Sequence, residues 1–409
     1  MTPFALLLGA IALVPLLAPK WWPRHYAKIS FGLGAVAAGY YIFILGDSHR
    51  VLHTAHDYIS FIVLVGSLFV VSGGIHIGVK GESTPFANVI FLLVGAVIAN
   101  VLGTTGSAML LIRPWIRMNK YRVTAHHIVF FIFIVANAGG CLLPTGPPLF
   151  LGYLEGVPFW WTAQHGWLVW LVGVGLLLAI FYVVDKINFA RAPREVREKE
   201  TARETWRFDG LVNLFFAAVI LAAVFVDKPI FLREAIMIAA ALGSYFTTKK
   251  TIHAANDFNF HPIQEVAILF AGIFATMMPA LDWLNANARE VLGANPSPGI
   301  FYWGAGGLSA VLDNAPTYLA FLSALSGVTG TGEISGLLAK NSPHVLAISI
   351  SAVFFGAATY IGNGPNFMVK AIADQQKIPM PTFMGFVFKF TLPFLLPVLF
   401  TLWLLFFRH

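Results

Sequence analysis

Apolar runs of membrane-crossing length recur from one end of the chain to the other. Residues 58–75, 167–184, 211–226 and 390–407 each approach the roughly 20 residues that a bilayer-spanning helix needs. A series of such runs, in a 409-residue chain that is 58% hydrophobic and 11% charged, excludes a water-soluble enzyme, where about a quarter of the residues would be charged. The ten-residue alternating segments of a membrane β-barrel are absent. The expected fold class is an all-α polytopic membrane protein.

Spans are expected near 4–19, 27–45, 57–78, 124–155, 160–185, 209–226, 230–246, 262–283, 343–375 and 382–407, about ten transmembrane helices. Two further segments, 84–112 and 297–325, are long enough for one helix but carry clusters of helix breakers, Gly103-Thr104-Thr105-Gly106-Ser107 and Asp313-Asn314-Ala315-Pro316-Thr317. Basic residues arbitrate between crossing and doubling back. If both segments are re-entrant hairpins, 19 of the 26 Lys and Arg residues fall on the cytoplasmic side, among them Lys80, Arg113, Lys249, Lys250, Lys370 and Lys377. If each segment crosses, Lys20, Arg24, Lys28, Lys80, Lys370 and Lys377 move to the opposite face, against the rule that cytoplasmic loops are basic.

The formal charge of +7 is therefore a topology signal for an inner-membrane, multi-pass protein rather than a sign of nucleic-acid binding. The one cysteine, Cys141, excludes a disulfide framework or a multi-cysteine metal centre. The first 17 residues lack a cationic region before their apolar run and read as a spanning helix rather than a cleaved signal. No nucleophile elbow, His-Glu-x-x-His, phosphate loop or pair of intramembrane aspartates is present, so the chain does not read as an enzyme, and no cofactor is expected.

A charged stretch over 186–208 reads as a cytoplasmic linker. On each side of it the same order is expected: three spans, a hairpin, a broken span and a last span. Five crossings precede the linker, so the halves, 1–185 and 209–409, are expected to be inverted-topology repeats. The first holds a hairpin over 84–112 and a broken helix over 124–155; the second holds 297–325 and 343–375. Val101-Leu102-Gly103-Thr104-Thr105-Gly106-Ser107 aligns without gaps on Val311-Leu312-Asp313-Asn314-Ala315-Pro316-Thr317, and Pro144-Thr145-Gly146-Pro147-Pro148 on Gly362-Asn363-Gly364-Pro365-Asn366.

A helix broken inside a bilayer leaves backbone groups that hydrocarbon cannot satisfy, so each break must line an enclosed polar space. The polar residues there are Thr104, Thr105, Ser107, Asn137 and Thr145 in the first half, and Asp313, Asn314, Thr317, Thr359, Asn363 and Asn366 in the second. Their hydroxyl, amide and carboxylate oxygens are hard ligands suited to sodium, with Asn137, Thr145, Asp313 and Asn314 the expected sodium ligands. Asp313 is the first candidate for a proton- or cation-coupling group, because a carboxylate at membrane depth is costly and by default functional. Glu265, His126 and His127 are candidate proton relays. His49, His53 and Asp57 share a helical face but read as an exposed cluster rather than a metal site.

The motifs Asn137-Ala138-Gly139-Gly140, Pro144-Thr145-Gly146-Pro147-Pro148, Asp313-Asn314-Ala315-Pro316-Thr317 and Ile361-Gly362-Asn363-Gly364-Pro365-Asn366 together resemble the ion transporter superfamily. Within it the chain looks most like the NhaD-type sodium/proton antiporters, relatives of the arsenite permeases and of citrate and dicarboxylate transporters. Where many relatives have Gly-Asp-Pro or Gly-Asn-Pro, this chain has Gly146-Pro147-Pro148. The resemblance implies a homodimer with elevator-type alternating access. It also implies a site built from both hairpin tips and both breaks, with sodium or lithium ions and protons as the partners. A sodium-coupled citrate or dicarboxylate transporter and an arsenite or other metalloid efflux carrier are the alternatives.

Overall fold

Clusters of Gly and Pro mark the tips and breaks of this chain, while single prolines such as Pro15, Pro114 and Pro279 lie inside helices. The computed structural model describes residues 2–18, 20–79, 84–191, 207–226, 228–293 and 295–408. The middle of the expected linker, 192–206, lies outside the described residues, as does Lys80.

In the first half the helices are α1 (Thr2–Leu17), α2 (Trp22–Gly39, continued by a π-helical turn over Tyr40–Ile44), α3 (Ser48–Gly73), α4 (Pro85–Met118), α5 (Ala125–Ile134), α6 (Pro147–Leu154) and α7 (Trp161–Arg191). In the second they are α8 (Asn213–Ala223), α9 (Leu232–Thr247), α10 (Lys250–Ala255), α11 (His261–Leu292), α12 (Pro298–Ser309), α13 (Asn314–Thr329), α14 (Ile334–Phe355), α15 (Gly364–Gln375) and α16 (Phe383–Phe407, partly π-helical). Among the described residues seven helices are long and apolar enough to cross a membrane, and Thr2–Pro15, Ala125–Gly140 and Asn213–Ala223 are shorter apolar ones. This is an all-α polytopic membrane protein.

Several bounds differ from expectation for local reasons. Continuous helix carries α7 through Asp185 to Arg191, past the expected start of the linker, because Asp185 is paired inside the protein. The expected span 209–226 holds a helix only over Asn213–Ala223. Its start is tied down by Asn213, which donates to the Gly74 carbonyl (2.7 Å) and accepts from Ser244 (2.6 Å). Two three-residue strands, β1 (His76–Gly78), just after α3, and β2 (Arg207–Asp209), just before α8, pair antiparallel with Ile77 opposite Phe208.

α4 is two arms rather than one rod. At Gly103 the backbone takes φ 70° and ψ 164°, a region open essentially only to glycine, and a Cβ there would stand 2.6 Å from the Thr145 carbonyl oxygen. The chain doubles back at this point: Gly95 lies beside Leu111, and Asn88 and Asn119 exchange side-chain hydrogen bonds of 2.8 and 3.2 Å. In a straight helix residues 16 apart would be separated by about 24 Å. α12 and α13 also lie side by side, with Gly304 against Phe321 across the turn at 310–313.

α11 is a central element, packed against α2, α3 and α13. Small residues let it approach α2 closely: Gly34 meets Gly272 and Ala275, and Ser30 donates to the Ile268 carbonyl at 2.7 Å. Membrane helices associate in this way because lipid gives no hydrophobic drive, leaving close packing and interhelical hydrogen bonds.

Candidate functional site

Each broken span stops at a short 3-10 turn, Ala138–Gly140 after α5 and Gly356–Ala358 after α14, runs irregularly for several residues, and restarts at a helix that has proline in its first turn, α6 or α15. Proline there gives up no hydrogen bond, since first-turn N–H groups have no helical partner. Each tip rests on the break of its own half. Thr145 donates to the Asn100 carbonyl (2.9 Å) and Thr359 to the Ala310 carbonyl (2.6 Å), each acceptor lying three residues before the tip residue, Gly103 or Asp313.

The two breaks meet through three fully buried asparagines. Asn137 Nδ2 donates to Asn366 Oδ1 (2.7 Å) and to the Ile132 carbonyl (2.8 Å). Asn363 Nδ2 donates to Asn137 Oδ1 and to the Ala136 carbonyl, both at 3.0 Å. Asn366 Nδ2 reaches the Gly356 and Thr359 carbonyls at 2.7 and 2.9 Å. The carbonyls that the breaks expose are thus met by side-chain amides, those of Ile132, Gly356 and Thr359 from an asparagine of their own break and that of Ala136 from the opposite one, as burial demands. Asn100, absent from the expected set, does the same in the first half, donating to the Gly139 carbonyl at 2.7 Å and accepting from the Leu142 amide at 2.9 Å.

The tips keep unspent polar capacity. Thr104 Oγ1, Ser107 Oγ and Asn314 Oδ1 are buried with no hydrogen-bond partner among the described residues. Thr105 and Thr317 are buried as well, and Thr317 donates to the Asp313 carbonyl at 3.0 Å. Asp313 caps α13 by accepting from the Ala315 amide (3.1 Å), with the Gly364 amide at the start of α15 as its other backbone partner. Its carboxylate lines a cavity of about 140 Å³ together with Asn363, Tyr360 and Glu265. Among the described residues no Lys or Arg lines that cavity.

Of the expected sodium ligands, Asn137 and Thr145 are engaged in the first break, while Asp313 and Asn314 sit at the second tip. Glu265 shares the Asp313 cavity. His126 and His127 do not line it. They start α5 and turn Nε2 toward Asp185 Oδ1, each at 3.1 Å. Arg122 grips both oxygens of Asp185, and Asn88 donates to Oδ2 at 2.9 Å. Among the described residues this is the group of His and carboxylate side chains close enough to hold a metal. The guanidinium already fills the carboxylate, so the cluster is an ion-paired latch. Asp185 is absent from the expected set; a carboxylate at the end of an apolar run was the one sequence signal available for it.

A family model described as "Putative citrate transport" matches residues 1–407. The chain belongs to that family. Membership of this family supports a multi-pass membrane transporter of the ion-transporter kind. No curated protein matches the sequence closely enough to count as a relative.

Proposed function

We propose that this member of the citrate-transport family is a secondary antiporter exchanging sodium or lithium for protons. The observation that carries the reading is the cavity at the second tip: a carboxylate residue, Asp313, lines it beside Asn363, with no basic residue in its lining among the described residues. Such a group suits a cation or a proton by turns and repels a free anion. In this reading Asp313 alternates between the two while Asn137, Thr145, Asn314 and Asn363 offer neutral oxygens. Both helical hairpins are re-entrant, the two halves are inverted repeats in an inner membrane, and the tips and breaks move as one body against the outer helices in a homodimer. The common element order of the halves supports this.

Sodium-coupled uptake of citrate or a related carboxylate is the second reading. It is favoured by the family's description and by the Thr104 and Ser107 hydroxyls, free to donate beside a helix N-terminus, where anions are stabilised.

Purified protein in liposomes with an internal pH dye, under an imposed proton gradient, separates the two. Antiport predicts dequenching on adding sodium or lithium, lost in Asp313→Asn. No response to cations, combined with sodium-driven uptake of labelled citrate, overturns antiport in favour of the carboxylate symporter.

A further inference from the structure

Beyond the Asp313 cavity lies a second, wider one of about 450 Å³, walled by Ser72, Met109, Arg113, Asp257, His261 and Gln375. The two share a wall: Pro262, Glu265, Phe367 and Met368 line both. Three of these are apolar, so among the described residues Glu265 is the one charged group at the junction. In the outer cavity Arg113 and Asp257 neutralise each other (3.4 Å), whereas Glu265 has no ion pair or hydrogen bond among the described residues. The opposite end of α3 and α11 is different. There a groove of about 740 Å³ reaches Arg50 and Glu155, and the pocket beneath it, lined by Asp57, Leu151, Met277 and Leu319, shrinks to about 20 Å³ without including Asp313.

We propose that Glu265 is a relay carboxylate on the route by which the coupling cation or proton reaches Asp313 from the face that carries Arg113 and Asp257. This rests on Asp313 handling a cation, as proposed above. An ion leaving the wide outer cavity for the narrow, mostly apolar inner one must shed water, and an uncompensated carboxylate at the shared wall offers it a partner at that step. A proton takes the same two stops. The titratable and charged groups around Glu265 are His261 one turn earlier on α11, Tyr26 on α2, Arg113 and Asp257 across the outer cavity, and Asp313 and Tyr360 across the inner one. Arg113 and Asp257 cancel, so Glu265 supplies the net negative charge of the route outside Asp313.

The test is sodium-dependent exchange by full-length protein in liposomes, for wild type, Glu265→Gln, Glu265→Asp and Asp313→Asn, each checked as monodisperse before reconstitution. Glu265→Gln is expected to raise the sodium KM about tenfold, a loss of one decade in apparent affinity. Its rate at saturating sodium is retained, its pH profile is displaced, and Glu265→Asp restores most of the KM. An unchanged KM and pH profile in Glu265→Gln, with exchange abolished in Asp313→Asn, overturns the relay and leaves the antiport reading standing. Exchange that survives Asp313→Asn overturns that reading, and with it a relay toward Asp313, whatever Glu265→Gln does.

Discussion

Gly103 shows how much of the first tip rests on one missing side chain. Its positive φ and the Thr145 carbonyl in the place of a Cβ leave no room for any other residue. Gly103→Ala is expected to cost about 1–3 kcal/mol in backbone strain before the clash is counted. It should lower the midpoint of thermal unfolding in detergent and abolish exchange; a wild-type midpoint would show that the hairpin turns elsewhere. At the corresponding place in the other half stands Asp313, whose φ of −59° is ordinary. The two tips turn by different means, so glycine is replaceable at one and required at the other. This asymmetry was legible in the sequence as Gly103 aligned on Asp313, but the reason for it, an oxygen 2.6 Å from an absent atom, was not, because it depends on residue 145 folding back.

At the level of elements, breakers were the readable part. Glycine and proline clusters in a hydrophobic background mark both tips and both breaks, since nothing else in an apolar run stops a helix. What anchors the elements was less readable. His126 and His127 suggested proton transfer from their place at the start of a span, yet they belong to the latch of Asp185 and Arg122 that joins the base of the first hairpin, α5 and α7. Asp185 looked like the last residue before a polar linker, and only packing shows it to be fully buried. Asp185→Asn removes the carboxylate charge that Arg122 grips and that both histidines face, and breaking such a buried pair costs about 3–5 kcal/mol. Faster amide hydrogen exchange at both ends of α4 and in the first turn of α5 is the expected outcome, with α12 and α13 unaffected. Uniform protection across the variant would refute the latch. The strands β1 and β2 had no signal at all, three residues being too few for a pattern.

Across the whole molecule, the halves are held to each other independently of the segment that joins them in sequence. The asparagine triad ties break to break, Ser60 donates to Glu234 across α3 and α9 at 2.6 Å, Asn213 holds the Gly74 carbonyl, and the small-residue contact fastens α2 to α11. The ladder of β1 with β2 adds a clasp immediately before α8. Polypeptides 1–191 and 207–409, expressed separately in one cell, are therefore expected to co-purify through a tag on either one and to regain exchange after reconstitution. Failure to co-purify would mean that covalent continuity is what keeps the halves together. The antiparallel clasp is thus a splice point: a gene cut there would encode two peptides that find each other, as separate subunits do, so a one-chain carrier of this kind is already built like a heterodimer.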